Sequence, residues 1–321
     1  MNCEIQSQRI RPKNLGLYLT RQCNLSCPSC LFRLQKRNFH KDVNLPFNQA
    51  VKIINYYNSL NVQNVALQSE GELFLYERYW ELVSFCQKNE ISLQNTVTNG
   101  ILIDKFLLKI IQNFNSISIS VDGYDTDSYR KRRGGNVDIF NRIISNTRLL
   151  LRESKKLKKE FKVIYNCVIM ANNYMIMPKM IEMAETLGIY KIQFRNMHRY
   201  DPSNDLLSPI YNTPELIEFI EKLKSKRYTV HIKWPEIYGL TTQFHCSMLF
   251  GTVTIGSDGF FAPCCHIPSN PSYGYFFDDP LGFNSKNMAM FRRTFINSKT
   301  IKELPMQCRE CPRLTNCNDK K

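Results

Sequence analysis

The run Cys23-Asn24-Leu25-Ser26-Cys27-Pro28-Ser29-Cys30 places three cysteines within eight residues, directly after the apolar run Leu15–Thr20. Thiolates are soft ligands that suit iron–sulfur clusters and zinc. Three of them on one loop can wrap three corners of a four-iron cube, whereas fully ligated electron-transfer clusters use four. A loop that supplies three, with no fourth close by in sequence, leaves one iron open for chemistry. The same residues also read as a structural zinc site completed by a distant ligand.

A second group of cysteines follows much later. Cys246 precedes Gly259 and Cys264, and after a long gap come Cys308, Cys311 and Cys317. Gly256-Ser257-Asp258-Gly259 reads as the turn between strands over 252–255 and 260–262. The Cys-x2-Cys spacing at 308–311 suits a zinc ribbon and an iron–sulfur cluster alike. Cys265, beside Cys264, reads as a bystander, and Cys3 and Cys86 have no metal spacing. Twelve cysteines in a chain of 321 residues, opening without a signal peptide's basic-then-apolar layout, point to metal in a reducing compartment rather than to disulfides. The expected location is cytoplasmic, and the expected protein is oxygen-sensitive.

The elements that must position these residues alternate. Apolar, β-branched runs at Leu15–Thr20, Asn64–Gln68, Ser92–Thr98, Ser116–Val121, Phe161–Met170 and Lys191–Arg195 are separated by helical patterns. Those patterns cover Phe47–Leu60, Tyr79–Asn89, Ile103–Phe114, Ile139–Glu153 and Met177–Leu187. Strand alternating with helix predicts a parallel sheet with helices outside. The predicted fold class is α/β, a partial (β/α)6 barrel with a small cysteine-rich module, and reactive groups in such barrels sit at the C-terminal ends of the strands. The predicted domains are a core over 1–200, a linker, helix and strand over 201–234, and the module over 235–321. Tyr200–Asp205 and Ser208-Pro209 mark the linker.

The cysteine spacing Cys-x3-Cys-x2-Cys after a first strand resembles the radical S-adenosylmethionine (SAM) superfamily. Three further segments carry the resemblance. Ser69-Glu70-Gly71-Glu72-Leu73 resembles the family's Gly-Gly-Glu-Pro motif, with Glu70 and Leu73 departing from it. Thr96-Val97-Thr98-Asn99-Gly100 resembles its Thr-Asn-Gly turn, and Ser118-Ile119-Ser120-Val121-Asp122-Gly123 its Ser-Leu/Ile-Asp-Gly segment. The resemblance implies a [4Fe-4S] cluster on Cys23, Cys27 and Cys30, whose open iron chelates SAM. It implies SAM contacts from Gly71, Glu72, Thr98, Asn99, Ser120 and Asp122, with the Glu72 carboxylate accepting from the ammonium. Arg195, on the sixth strand, is the implied cation near SAM or substrate, with a surface salt bridge as the alternative. Cys167 reads as a small core residue; radical epimerases place a hydrogen-atom donor on such a cysteine. Ser29 stands where the family commonly has an aromatic residue against the adenine, which leaves apolar residues such as Val168 or Ile169 to fill that contact.

The C-terminal pattern resembles the family's SPASM/Twitch extension. That implies one auxiliary [4Fe-4S] cluster on Cys246, Cys264, Cys308 and Cys311, with Cys317 as the competing ligand. The implied reaction is reductive cleavage of SAM to a 5′-deoxyadenosyl radical that abstracts hydrogen, fed by an electron donor such as flavodoxin or ferredoxin. The first substrate class is a small metabolite, sugar- or cyclitol-like, undergoing dehydrogenation, dehydration or epimerisation. The alternative is crosslinking or epimerisation of a ribosomally made peptide. It ranks second because the 22 residues ahead of Cys23 are too few for a leader-binding domain.

Composition constrains partners. The net charge of +15 has much of its excess in Arg130–Arg133 and in the stretch from Arg152 to Lys162. A basic field of this kind attracts phosphorylated small molecules, acidic peptides or nucleic acid. No aromatic-rich RNA-binding signature accompanies it, so a solvated helix surface is the expectation and nucleic acid is not the expected partner. A non-catalytic metal protein that binds nucleic acid through its basic face is the reading from another class. No stretch approaches the roughly 20 apolar residues of a membrane span.

Overall fold

The computed structural model describes residues 10–30, 32, 43–198, 208–237, 244, 246–309, 311 and 314. Cys3, Cys317 and the 200–207 part of the expected linker lie outside the described residues. In chain order the strands and α-helices run β1 (Asn14–Tyr18), α1 (Phe47–Ser59), β2 (Asn64–Gln68), α2 (Tyr79–Lys88), β3 (Thr96–Thr98) and α3 (Ile103–Asn113). They continue with β4 (Ser116–Ser120), α4 (Thr126–Arg133), α5 (Val137–Lys156), β5 (Lys162–Ile169), α6 (Met177–Leu187), β6 (Lys191–Asn196), α7 (Pro214–Lys224) and β7 (His231–Lys233). The last are α8 (Ser247–Gly251), β8 (Thr252–Ile255), β9 (Phe261–Ala262) and α9 (Lys286–Asn297).

Two compact units interleave along the sequence. The first comprises Met1–Cys23, Asn38–Gln94 and His245–Arg309. Its sheet has the order β2-β1-β8-β9, with β1 parallel to both β2 and β8 and a closing antiparallel β8–β9 pair. Leu15 and Leu17 on β1 are fully buried, as expected of a strand flanked on both edges and covered on its faces. Helix α1 buries Ala50, Ile53, Ile54 and Tyr57, one face at helical spacing. The register that aligns Asn14–Leu17 with Thr252–Ile255 makes the C-terminal hairpin a continuation of the first strand's sheet.

The second unit comprises Asn24–Arg37, Asn95–Phe244 and Glu310–Lys321. Its sheet is parallel throughout, in the order β3-β4-β5-β6-β7. Alternate residues of β5, namely Val163, Tyr165, Cys167 and Ile169, have no exposed surface, the two-residue period of a strand. Helix α6 stops at Gly188, whose left-handed backbone (φ 72°) caps it as its sequence predicts.

The mixed α/β fold with parallel sheets agrees with the sequence reading. The strands expected in one barrel fall in two sheets, and the hairpin expected in a separate module joins the sheet of β1; the remaining differences are local. The expected strand Ser92–Thr98 is regular only over Thr96–Thr98, and Leu93 makes an isolated bridge to Val65. Helix α4 falls where the sequence shows only a charge run, started by a capping box between Asp125 and Ser128. Helix α9 occupies the long gap between Cys264 and Cys308 and buries Met288, Arg292 and Phe295. Among the described residues, no helix is long and apolar enough to cross a membrane.

Candidate active site

In the first unit, the chain leaving β1 runs through Thr20, Arg21 and Gln22 into Cys23, and the loop after β2 stitches it down. Glu70 N–H and Gly71 N–H both donate to the Thr20 carbonyl, at 3.0 and 3.2 Å, and Glu72 N–H donates to the Gln22 carbonyl at 2.7 Å. A side chain on residue 71 is sterically impossible in this arrangement, because its Cβ would lie 2.0 Å from the Gln22 oxygen. Glycine at this motif position is therefore required by close backbone approach. Glu72 is buried, and its carboxylate accepts from Phe74 N–H at 3.3 Å, capping the 3-10 turn Leu73–Leu75. Leu73, where the family motif has proline, opens that turn.

Glu70, the other departure, is part of an ion network. Its Oε2 accepts from Arg21 Nε at 2.8 Å and pairs with the Ser257 hydroxyl. Arg21 Nη2 reaches Asp258 Oδ2 at 2.6 Å, and Asp258 Oδ1 accepts from Ser269 Oγ at 2.9 Å. Burial works against charge on Arg21, but Glu70 and Asp258 outweigh it and hold its pKa above the usual arginine value.

The first unit also holds Cys246, Cys264 and Cys308 of the second cysteine group. Leu249 N–H points at Cys246 Sγ, and His266 N–H at Cys264 Sγ, each at 3.4 Å. Main-chain N–H groups aimed at sulfur are what cluster-bound thiolates accept, so these two residues fit an iron–sulfur site. Cys311 belongs to the second unit and is buried. Among the described residues, no three His, Cys, Asp or Glu side chains converge to hold a single metal ion.

In the second unit, Cys30 N–H donates to the Cys27 carbonyl at 3.2 Å, folding the two cysteines into one turn. The end of α4 cradles that segment. A Cβ on Gly134 (φ 69°) would lie 3.4 Å from the Ser26 oxygen. Burial pushes the Cys27 thiol up, against the pull of the Arg133 guanidinium beside it. Arg133 Nε lies 2.5 Å from Asp122 Oδ2, while Asp122 Oδ1 accepts from Val168 N–H at 2.7 Å. Both oxygens of Asp122 thus face protein partners, and its carboxylate orients Arg133. That arginine was invisible as a site residue in the sequence, where it is one of four consecutive cations.

The strand-end turns hold the remaining residues. Asn99 Nδ2 donates to Asn24 Oδ1 at 2.7 Å, tying the β3 turn to the cysteine segment, and Asn99 Oδ1 accepts from Ile101 N–H at 3.0 Å. Thr98 Oγ1 accepts from Gly100 N–H at 3.1 Å. Ser120 is the last, half-buried residue of β4. Arg195, half-buried on β6, donates to Gln193 Oε1 at 3.1 Å. Cys167 has no exposed surface, and burial raises its pKa well above the ordinary thiol value, in keeping with a core residue. Within the second unit, Cys27 and Cys30 on one turn beside Arg133 are soft donors of the kind a cluster takes, and within the first, Gly71 pressed against backbone leaves the main chain uncovered.

The Radical SAM superfamily model matches residues 17–183, from β1 into α6. The chain belongs to the radical SAM superfamily. This membership supports SAM and iron–sulfur binding. Among curated relatives, the probable GTP 3′,8-cyclase of Methanococcus aeolicus is 26% identical over 160 residues, covering 49% of this chain and 52% of that one. The chain spans about half the length of the curated relatives it matches. Among solved structures, Streptococcus suis SuiB bound to S-adenosylmethionine superposes with a TM-score of 0.68 at 16% identity, over 94% of this radical SAM chain and 72% of SuiB. SuiB bound to precursor peptide SuiA gives 0.67 at 17% identity, over 98% and 72%. The structure of anSMEcpe with bound AdoMet and Cp18Cys peptide gives 0.62 at 17% identity, over 94% and 88%.

Proposed function

We propose that this radical SAM chain holds a [4Fe-4S] cluster on Cys23, Cys27 and Cys30 and binds SAM at the ends of β1–β6, arranged as a partial (β/α)6 barrel. When bound, the cluster and SAM supply one electron and a 5′-deoxyadenosyl radical that removes a hydrogen atom from the substrate. The chain's own residues bind, orient and shield. Gly71 leaves main chain bare for close approach, and the Glu72 carboxylate accepts from the SAM ammonium. Thr98, Asn99 and Ser120 supply hydrogen bonds to the ribose and methionine ends, Asp122 holds Arg133, and Arg195 supplies a cation toward substrate. The observation that carries this reading is the position of the cysteine segment at the end of β1, inside the matched range 17–183.

Cys246, Cys264, Cys308 and Cys311, with Cys317 as competitor, are proposed to hold one auxiliary [4Fe-4S] cluster in a SPASM/Twitch-type module. Its use is to accept an electron from a substrate radical or to shape the pocket. The proposed substrate is a residue of a peptide. Two solved structures that superpose over nearly the whole chain, SuiB with precursor peptide SuiA and anSMEcpe with Cp18Cys peptide, hold peptides. A small metabolite is the second reading, supported by the curated relative named a GTP cyclase.

Anaerobic reconstitution with iron counting tests the reading. Two four-iron clusters give about eight irons in the wild type, and the Cys23/Cys27/Cys30 triple Ala variant retains about four. Release of 5′-deoxyadenosine from SAM under reduction is present in the first and absent in the second. Zinc in place of iron, or an iron count unmoved by the triple substitution, sinks the assignment.

A further inference from the structure

Residue 70 is glycine in the motif this loop resembles, and glutamate here. Its carboxylate is nearly sealed from solvent, with 3% of the side chain exposed, and it lies against Arg21 and Ser257. A charge is buried at such a place only when partners compensate it. Arg21 compensates it and also binds Asp258, so one guanidinium fork joins two carboxylates from distant segments. Asp258 is itself fixed, by Ser269 Oγ and by Phe260 N–H at 3.2 Å. The turn carrying it follows β8, whose parallel register with β1 sets the turn beside the end of the first strand.

We propose that Arg21, Glu70 and Asp258 form a positioning clasp by which the C-terminal hairpin turn fixes the course of the chain into Cys23. This rests on the reading that Cys23 is a cluster ligand. The main chain of Thr20–Gln22 is held by the Glu70–Glu72 amides, and the Arg21 side chain anchors the same segment to the hairpin. Arg21 stands two residues before Cys23, a reach of about 7 Å of extended chain. Over so short a span, with its main chain already held by the Glu70–Glu72 amides, the clasp limits where Cys23 can be presented. The clasp residues act through Cys23 and are positioning residues. Glu70 is thereby a substitution with a purpose: it turns a motif position into an anchor between the segment entering Cys23 and the hairpin turn.

The test uses the full chain, reconstituted anaerobically, in the wild type and as Asp258→Asn, Asp258→Ala, Glu70→Gln, Arg21→Ala, Arg21→Ala/Asp258→Ala and Cys23→Ala. Iron content and the electron paramagnetic resonance spectrum of the reduced protein are read with and without SAM. The expected result is that Asp258→Asn and Glu70→Gln keep wild-type iron. Their SAM-dependent spectral change requires about tenfold more SAM, the scale of effects beyond direct ligands. The double variant is expected to lose less than the sum of its two single variants, because each of them removes the Arg21–Asp258 pair. Asp258→Asn removes charge while keeping size, so the test survives if Asp258→Ala does not fold. A Cys23→Ala spectrum that differs from wild type beside an unchanged Asp258→Asn overturns the clasp alone. An unchanged Cys23→Ala overturns the ligand reading and the clasp with it. Additive losses in the double variant mark independent structural roles and also overturn it.

Discussion

At the scale of single residues, the site is set by contacts that leave no latitude. Gly71 is the sharpest case: any side chain there drives a Cβ into the Gln22 carbonyl, so the loop after β2 must swing away from the chain leading to Cys23. Gly71→Ala is expected to abolish SAM-dependent spectral change and 5′-deoxyadenosine release. It should lower stability by about 1–3 kcal/mol, the range for an overpacked position. Equilibrium denaturation together with SAM binding checks both. The glycine itself was legible in the sequence as a motif match. The partners of its two neighbours were not. Glu72 reads in sequence as a ligand to SAM, and the structure adds that it caps its own turn through Phe74 N–H. Arg133 reads as one more cation in a basic run, yet Asp122 holds it beside Cys27, with 18% of the side chain exposed. A charge run carries no sign of which member turns inward, because that depends on where a carboxylate waits in the folded chain.

At the scale of elements, periodicity located the core strands and helices to within a few residues, since burial on one face imposes it. Met177–Leu187 ends where its glycine cap predicts, and Asn64–Gln68 is strand throughout. Helix α9 escaped detection because its buried face is short and mixed, with Arg292 among the buried positions. The pairing of β8 with β1 escaped detection for a different reason: four-residue strands of like composition pair equally well with several partners, and register is decided across the sheet. This pairing yields a prediction at the same scale. β8 lies between β1 and β9, where proline removes a ladder donor and clashes. Thr254→Pro is expected to lower stability by about 1–3 kcal/mol, the cost of leaving a buried ladder acceptor unpaired. Amide hydrogen exchange should show faster exchange across Asn14–Tyr18, and unchanged protection there refutes the β1–β8 pairing.

At the scale of the whole molecule, two interleaved units mean that folding joins segments far apart in sequence before either unit is complete. Metal bound only by the folded state adds to its stability by mass action. Anaerobic removal of iron by a chelator is therefore expected to lower wild-type stability by about 3 kcal/mol. The loss should be smaller in the Cys23/Cys27/Cys30 triple Ala variant, which lacks one cluster from the start; calorimetry of the four preparations measures it. Equal losses in both proteins place all the bound iron at the second cysteine group. Cysteine spacing, strand-end motifs and the alternation of strand with helix were all determined by the sequence alone, because each is written in residues close together along the chain. The tertiary structure alone decided that Glu70 faces Ser257 and that Arg21 grips Asp258, 237 positions away. Those choices follow from the β1–β8 register and from the need of a buried charge for its opposite, and both are settled only when distant segments meet.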